Sequence, residues 1–191
     1  MEGSYISLIN SLPLVYSTEK LKDERHLNNR FKNSEVTLVC LPKRVPFVLN
    51  FLKNHIGSQY SMLTMVSGVD FLGLNQRFCV VYELLSLTFN NRIRVKAFLA
   101  ESSSVPTACF VFSNANWWER EAWDLFGILF QDHPDLRRIL TDYGFEGHPL
   151  RKDFPLYGFV DYSYSEIKHT VVAEPVQLPQ GFRSFESAVS W

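Results

Sequence analysis

Regular hydrophobic periodicity ends near residue 141, although the chain continues for a further aromatic-rich stretch. Residues 142–191 contain repeated prolines and glycines, which interrupt helices. The same stretch carries the aromatic residues Phe145, Phe154, Tyr157, Phe159, Tyr162, Tyr164, Phe182, Phe185 and Trp191. Disordered tails contain few aromatics, and long irregular segments are unusual inside compact domains. We therefore predict an extended C-terminal arm, residues 142–191, that lies largely on a partner chain.

The residues before this arm predict a compact domain, 33–141, preceded by an N-terminal extension, 1–32, that is partly helical. A weak helix is expected over residues 4–25, interrupted by Pro13. A buried strand is expected over residues 35–41, and a helix follows from residue 45 to the stop at Gly57. The helix repeat consists of Val45, Val48, Leu49, Leu52 and Ile56. A further short helix is expected over residues 104–112.

Three more strands are predicted at residues 61–69, 77–86 and 92–99, with Gly68 as a possible bulge. The last strand alternates, with Ile93, Val95, Ala97 and Leu99 pointing inward and Arg92, Arg94 and Lys96 pointing to solvent. Residues 87–91 are expected to turn the chain, so the last two strands form a hairpin. The three basic residues suit a solvated strand face, and the alternative is a stripe that binds an anionic partner.

A charged and aromatic helix is predicted over residues 116–127, with Asn116 as its N-cap and Gly127 as its stop. We expect its tryptophans, Trp117, Trp118 and Trp123, to fix it against the domain. Glu119 falls on the apolar side, where a bare carboxylate is costly. It either caps its own helix, which we favour, or forms a buried ion pair with Arg137 or Arg138.

Basic and acidic residues are mixed in the segment after this helix. Arg137, Arg138, Arg151 and Lys152 alternate with Asp135, Asp142, Glu146 and Asp153. The mixture predicts ion-pair networks rather than a phosphate cradle. The net charge of −1 gives no reason to expect nucleic acid or an acidic membrane as a partner.

The histidines raise a metal hypothesis. His133 and His148, with Asp132, Asp135 and Glu146 nearby, match no familiar ligand spacing, so we favour structural, hydrogen-bonded histidines. The alternative is a free-standing metal-dependent hydrolase that uses these histidines and the nearby carboxylates. The sequence contains no nucleophile-elbow or phosphate-loop motif.

The three cysteines, Cys40, Cys79 and Cys109, are widely spaced in apolar runs, which makes an iron–sulfur or zinc site improbable. No apolar run approaches the roughly 18–20 residues of a membrane-spanning helix. The N-terminus resembles neither a secretory signal nor a transit peptide.

A dense set of motifs resembles the thirty-kilodalton peripheral-arm subunit of respiratory complex I, which is designated by the letter C in bacteria and by the number nine in many mitochondrial genomes. The likeness is carried by the signature residues Glu119, Arg120, Glu121, Asp124, His133, Arg137 and Arg138, and by the run from Leu140 to Leu156, LTDYGFEGHPLRKDFPL. It is looser across residues 33–115. The resemblance implies a structural role for the signature residues. We further predict an interface that includes Phe145, His148, Arg151, Phe154 and Tyr157.

The resemblance also implies a fold and a function. The fold would be α+β, a two-layer sandwich with a mixed sheet of about four strands, helices packed on it, and an extended C-terminal arm. The chain would be a non-catalytic scaffold in the hydrophilic arm of proton-pumping NADH:ubiquinone oxidoreductase, bracing the quinone-binding module. Its partners would be other peripheral-arm subunits, chiefly the forty-nine-kilodalton subunit, without nucleic acid and without a membrane span.

NADH, FMN, iron–sulfur clusters and ubiquinone would lie in neighbouring subunits, with none bound by this chain. The expected location is the matrix side of the mitochondrial inner membrane, and the expected gene is mitochondrial.

Overall fold

The computed structural model describes residues 15–20, 36–178 and 180–185. The chain divides into two compact units, residues 1–152 and 153–191. The first unit ends later than the boundary expected at residue 141, because His148, Arg151 and Lys152 make hydrogen bonds within it.

The first unit contains seven described strands and two α-helices. They are β1 (Val15–Lys20), β2 (Val36–Cys40), α1 (Val45–Asn54), β3 (Met62–Asp70), β4 (Phe78–Ser86), β5 (Asn91–Leu99), β6 (Ser104–Pro106), α2 (Ala115–Phe126) and β7 (Leu129–Gln131). A short 3-10 turn, Pro42–Arg44, leads into α1.

The main sheet is mixed and has the strand order β1-β2-β5-β4-β3. Strands β2 and β5 are parallel, and the other neighbours are antiparallel. One hydrophobic cluster joins strand residues with α1 and α2. The prediction of an α+β sandwich with a mixed sheet is therefore confirmed.

Strand β1 corrects the expected helix over residues 4–25. Residues 15–20 pair with β2 as an edge strand, with Thr18 opposite Leu38. The segment contains valine, tyrosine and threonine, which suit strands, and the pairing satisfies its backbone groups. The other residues of the expected extension, 1–14 and 21–32, lie outside the part of the chain that the structure describes.

The predicted hairpin and its alternation are confirmed. Strands β4 and β5 pair antiparallel, and Ile93, Val95, Ala97 and Leu99 are all buried. On the other face Arg94 forms an ion pair with its cross-strand neighbour Glu83. This contact favours the solvated, ion-paired face over a stripe reserved for an anionic partner.

Two details of the early elements were predicted wrongly. Helix α1 ends at Asn54, so Ile56 lies beyond it and is 83% exposed instead of joining the apolar face. The irregularity in β3 lies between Leu63 and Met65, not at Gly68. Gly68 instead faces the Phe126 ring, where an added Cβ would lie 2.7 Å from a ring carbon.

The helix expected over residues 104–112 is wrong. Residues Ser104–Pro106 form β6, which pairs in parallel with β7 and places buried Val105 opposite Phe130. The N–H of Thr107 extends this pairing to the carbonyl of Gln131 at 2.9 Å. A pairing between segments this far apart in the chain has no local periodicity that could reveal it.

The second unit contains a hairpin where the sequence showed no regular element. Strands β8 (Val160–Ser165) and β9 (Thr170–Pro175) pair antiparallel. Phe154 meets Phe159 edge-on at 5.4 Å, and Tyr157 meets Phe182 at 6.5 Å between ring centroids. The arm is therefore locally folded in part, as a hairpin in which two alternating segments pair across a turn.

Candidate functional site

Helix α2 carries most of the signature residues. It begins at Ala115 after Asn114, slightly earlier than expected, and the Asn114 amide donates to the Leu63 carbonyl at 2.7 Å instead of capping the helix. Gly127 ends the helix with a φ of 76°, as predicted. Trp118 and Trp123 pack against the core.

Trp117 was wrongly expected to fix the helix. It is 70% exposed, because the 100° step per residue turns it away from the core side. Its ring lies 6.0 Å from the guanidinium carbon of Arg120, which is itself buried. The Arg120 Nε atom donates to the carbonyl of Arg137 at 3.1 Å, so the polar side of the helix is covered by later residues.

Glu119 is fully buried, and neither predicted role for it is correct. Its carboxylate accepts hydrogen bonds from the Thr107 hydroxyl and, at 2.7 Å, from the Ala108 N–H. Both donors follow β6, which the sequence did not reveal. Burial raises the pKa of Glu119, and the hydrogen bonds from Thr107 and Ala108 oppose that rise. Glu119 therefore joins α2 to the chain after β6.

A cysteine and a histidine lie beside this carboxylate. The Cys109 thiol is 3.5 Å and His133 Nε2 is 3.8 Å from Glu119 Oε2. The three ligand atoms lie within 4.8 Å of one another, close enough to consider a metal ion.

Hydrogen bonding around this cluster argues against a metal. The N–H of Asp135 donates to His133 Nδ1 at 3.1 Å. Nε2 then carries the proton of the neutral ring and donates to the Asn116 carbonyl at 3.2 Å. No ring lone pair faces the cluster, whereas a metal-bound histidine donates from its other nitrogen. Burial raises the pKa of Cys109 to about 11, so in this hydrogen-bonded arrangement Cys109 is a thiol. The cluster is better described as a hydrogen-bonded contact between α2 and the segments that carry Cys109 and His133.

The second candidate histidine, His148, contacts a different part of helix α2. His148 Nδ1 donates to the carbonyl of Asp124 at 2.9 Å, while His133 contacts the carbonyl of Asn116. These two carbonyls are separated by about two helical turns, or roughly 12 Å along the axis. The histidines therefore do not converge on one ion as the hydrolase hypothesis requires, and their hydrogen bonds support structural roles.

Asp124 is the centre of the largest group of hydrogen bonds in the site. Its fully buried carboxylate accepts backbone N–H groups from Ile139, Leu140 and Thr141 at 3.3, 2.9 and 3.0 Å. The Thr141 hydroxyl at 2.8 Å and Arg138 Nη1 at 3.2 Å complete the set. Burial alone would raise the pKa of Asp124, but the hydrogen bonds from Thr141, Leu140 and Ile139 hold the pKa below its usual value.

The end of α2 is closed by donors from the same later segment. The carbonyls of Leu125 and Phe126 accept the Leu150 N–H at 3.0 Å and Arg151 Nε at 2.7 Å. The last carbonyls of a helix have no partner within it, and a cation there is favourable. We call residues 137–152 the clasp, because they bind both the side and the end of α2. An added Cβ at Gly127 would lie 2.7 Å from His148.

The predicted ion pairs form, but several acidic partners lie outside the charged run. Arg137 pairs with Asp135 at 2.9 Å on the surface. Arg138 pairs with Asp124, and Arg151 pairs with Glu101 at 3.0 Å. The network therefore ties the clasp to the body of the first unit.

Asp70, at the end of β3, is a site residue that sequence reasoning missed. It binds Arg77 through two bonds of 2.9 and 3.1 Å and accepts the Lys152 N–H at 2.9 Å. The hydrogen bond from Arg77 is the main cause that lowers the pKa of Asp70, and burial opposes it. The available signal was an aspartate at a strand end with an arginine across the following turn.

Comparison with known proteins identifies the family. The family model described as the 30 kDa subunit of respiratory-chain NADH dehydrogenase matches residues 38–160. The chain belongs to this family. The NADH-quinone oxidoreductase subunit designated C from Paramagnetospirillum magneticum is 52% identical over 157 residues, covering 82% of this chain and 79% of that protein. NADH-ubiquinone oxidoreductase subunit 9 of Reclinomonas americana is 48% identical over 161 residues, covering 84% and 79%. The equivalent NADH-quinone oxidoreductase subunit of Brucella ovis is 52% identical over 177 residues, covering 92% and 87%.

The signature residues of the 30 kDa family are thus seen in two groups. Glu119 and His133 meet near the start of α2, and Asp124 and Arg138 meet near its end. Glu121 is half-buried on the same helix, and Arg137 is exposed. The family resemblance singled out these residues, and the structure shows the contacts of Glu119 with His133 and of Asp124 with Arg138.

The residues expected at an interface fall in both units. Phe145, His148 and Arg151 are half-buried in the clasp, whereas Phe154 and Tyr157 belong to the second unit. His148 and Arg151 have their polar atoms turned to α2. Within the described ranges, neither helix is long and apolar enough to cross a bilayer.

Proposed function

We propose that this chain is a non-catalytic scaffold subunit in the peripheral arm of proton-pumping NADH:ubiquinone oxidoreductase, where it braces the quinone-binding module. The clasp is the observation that carries this proposal. The charged groups of Asp124 and Arg138 are used to hold residues 138–141 against α2. Such a satisfied network rigidifies the surface that it builds, which suits a part that positions its neighbours.

Family membership supports the choice of partners. The partners are other subunits of the peripheral arm, chiefly the forty-nine-kilodalton subunit, and the contacts include Phe145, Phe154 and Tyr157. The C-terminal arm reaches the partner, while His148 and Arg151 hold the clasp on α2 within the first unit. The exposed fractions of Tyr157 (51%) and Phe159 (65%) support this role, because aromatics are enriched at interfaces.

Redox cofactors lie in the neighbouring subunits in this proposal. NADH, FMN, iron–sulfur clusters and ubiquinone bind there, and this chain binds none. The cysteines support this assignment, since Cys40, Cys79 and Cys109 are far apart in the sequence and do not have the close spacing of a cluster-binding motif. The chain works on the matrix side of the mitochondrial inner membrane and is encoded in the mitochondrion, in keeping with its likeness to the Reclinomonas subunit.

The test compares two arginine variants in cells whose only copy of this chain carries the substitution. Arg151→Ala removes donors to the Phe126 carbonyl and to Glu101, so the clasp loosens and less complex assembles. Arg137→Ala removes only a surface pair with Asp135, worth about 0–1 kcal/mol within the chain. A loss of assembly in this second variant therefore reports a contact with a partner.

The measurements are the amount of intact complex on a native gel and its NADH:ubiquinone turnover per complex. We expect Arg151→Ala to lower the amount of complex several-fold while turnover per assembled complex stays near that of the unsubstituted protein. Full assembly with a selective loss of electron transfer would contradict the scaffold function. Recovery of the chain as a solitary soluble monomer, outside any large particle, would also contradict it.

A further inference from the structure

The hairpin of β8 and β9 has one face that is apolar throughout. Cross-strand register places Val160 opposite Pro175, Tyr162 opposite Ala173, and Tyr164 opposite Val171. Because side chains alternate between the faces of a strand, these three pairs share one side of the ribbon. Tyrosine and β-branched residues thus line that side from end to end.

This apolar face is exposed. The exposed fractions are 51% for Val160, 64% for Tyr162, 62% for Tyr164 and 68% for Val171. A two-stranded hairpin without a covered face is only marginally stable in water. An exposed aromatic face of this kind is typical of a surface that another molecule covers.

The opposite face of the hairpin is acidic and indicates the charge of the molecule that covers the apolar face. Asp161 and Glu174 lie directly opposite each other on it, and both are exposed. Like charges in this position repel and destabilise the pair of strands. A positively charged side chain placed beside both carboxylates removes the repulsion. In the turn the charges of Glu166 and Lys168 offset each other, so Asp161 and Glu174 leave the hairpin with a net negative charge and an anionic membrane surface is a poor match.

We propose that the apolar face of this hairpin lies on an apolar surface of a neighbouring oxidoreductase subunit, and that an arginine or lysine of that subunit pairs with Asp161 and Glu174. Directly opposite residues of two paired strands have Cβ atoms about 5 Å apart, so one basic side chain that lies over the acidic face can contact both carboxylates. The inference rests on the proposed function, since it requires the chain to be assembled with other subunits.

The first experiment maps the occupant of each face in the purified complex. The photo-crosslinker p-benzoylphenylalanine is placed at Tyr164 on the apolar face or, as a matched control, at Ser163 on the other face. Tyr164 should crosslink to one other subunit, at a site in an apolar surface with a lysine or arginine nearby, and Ser163 much less. Crosslinks from Tyr164 to residues 36–152 of this chain, to a second copy or to lipid would overturn the inference.

The second experiment tests the charge pairing. The double variant Asp161→Lys with Glu174→Lys should dissociate from the complex about tenfold faster in a salt wash, the size expected for losing close charge pairs. Glu166→Lys, in the turn, is the control and should dissociate at the unsubstituted rate. Changing the basic residue found by crosslinking to glutamate should restore retention of the double variant. Equal retention of the three proteins would refute the pairing.

Different results would disprove the hairpin contact and the scaffold function. A chain that stays in the complex while Tyr164 crosslinks only to its own domain disproves the hairpin contact and leaves the scaffold function standing. A chain that never enters the complex disproves both.

Discussion

Replacement of Asp124 by asparagine tests whether the clasp depends on this carboxylate. Asp124→Asn keeps the shape of the side chain but removes its charge and one acceptor. If the amide oxygen faces the N–H groups of Ile139, Leu140 and Thr141, the amide nitrogen then faces Arg138, which is itself only a donor. No orientation of an amide satisfies all the donors that converge on this buried position.

The expected loss follows from these bonds. Hydrogen bonds to charged groups contribute about 1.5–3 kcal/mol each, and the asparagine loses the one from Arg138 and weakens the others. We expect the free energy of unfolding to fall by about 2–4 kcal/mol. That is a large part of the 5–15 kcal/mol typical of a domain. Asp142→Asn is the control, because Asp142 is exposed and its carboxylate accepts the N–H of the adjacent Tyr143. It should change the free energy by less than about 0.5 kcal/mol.

The assay is urea unfolding of the full chain, followed by tryptophan fluorescence, at a series of pH values. The pKa of Asp124 is lowered in the folded state, so its contribution is present above the unfolded pKa of about 3.9 and is lost as the pH falls through the folded value. The asparagine variant should therefore lose less stability between pH 5 and strongly acidic pH than the unsubstituted chain. A variant within about 0.5 kcal/mol of the unsubstituted protein at pH 7, with the same acid dependence, would refute the argument.

Three other predictions concern the helix end, the buried glutamate and the arm. Gly127→Ala should lower the free energy of unfolding by about 2–4 kcal/mol, because the residue has a positive φ and an added Cβ would clash with His148. Gly144→Ala is the control: Gly144 also has a positive φ, of 72°, but open space around it, so the cost should be about 1 kcal/mol. Urea unfolding midpoints measure both changes. The pKa of Glu119 is raised in the folded state, so its stabilising effect is complete below about pH 4.3 and is lost as the pH rises through the folded value. Glu119→Gln should therefore flatten the stability profile above about pH 4.3, and an unchanged profile would show that Glu119 does not titrate as inferred. Deletion of residues 159–191 should release the chain from its complex and leave the compact domain folded, and a native gel that still shows the truncated chain in the complex would contradict this.

Local periodicity was enough to predict β2, β4, β5 and α1, because their burial follows from residues adjacent in sequence. The same reasoning wrongly predicted a helix over residues 104–112. They contain helix-compatible residues, but β6 exists because it pairs with β7, beyond the whole of α2. Strands that depend on distant partners leave a weak local pattern. The hairpin in the arm was missed for a different reason, since its glycine- and proline-rich surroundings masked a short alternating segment.

The sequence indicated which charged residues could form the site, but it did not predict the contacts that these residues make. The charged residues of α2 and the clasp stood out in the sequence, and their role as signature residues stays a prediction. The partners of Glu119 are a hydroxyl and a backbone N–H after β6, and those of Asp124 are mostly backbone N–H groups. Every residue except proline carries a backbone N–H group, so no pattern of residue types predicts which of these groups will bind a carboxylate. Glu101 was missed because its partner Arg151 lies far along the chain, whereas Asp70 was missed although its main partner, Arg77, is only seven residues away.

The closing of α2 by His148, Leu150 and Arg151 has a consequence for the order of events during synthesis. When the ribosome has just released Gly127, the last carbonyls of the helix still face water, and their partners have not yet been made. The helix end stays frayed until roughly twenty further residues emerge. A chaperone or protease that binds the nascent chain in this interval meets an unfinished domain, and a translation pause before residues 128–147 have emerged would prolong that exposure.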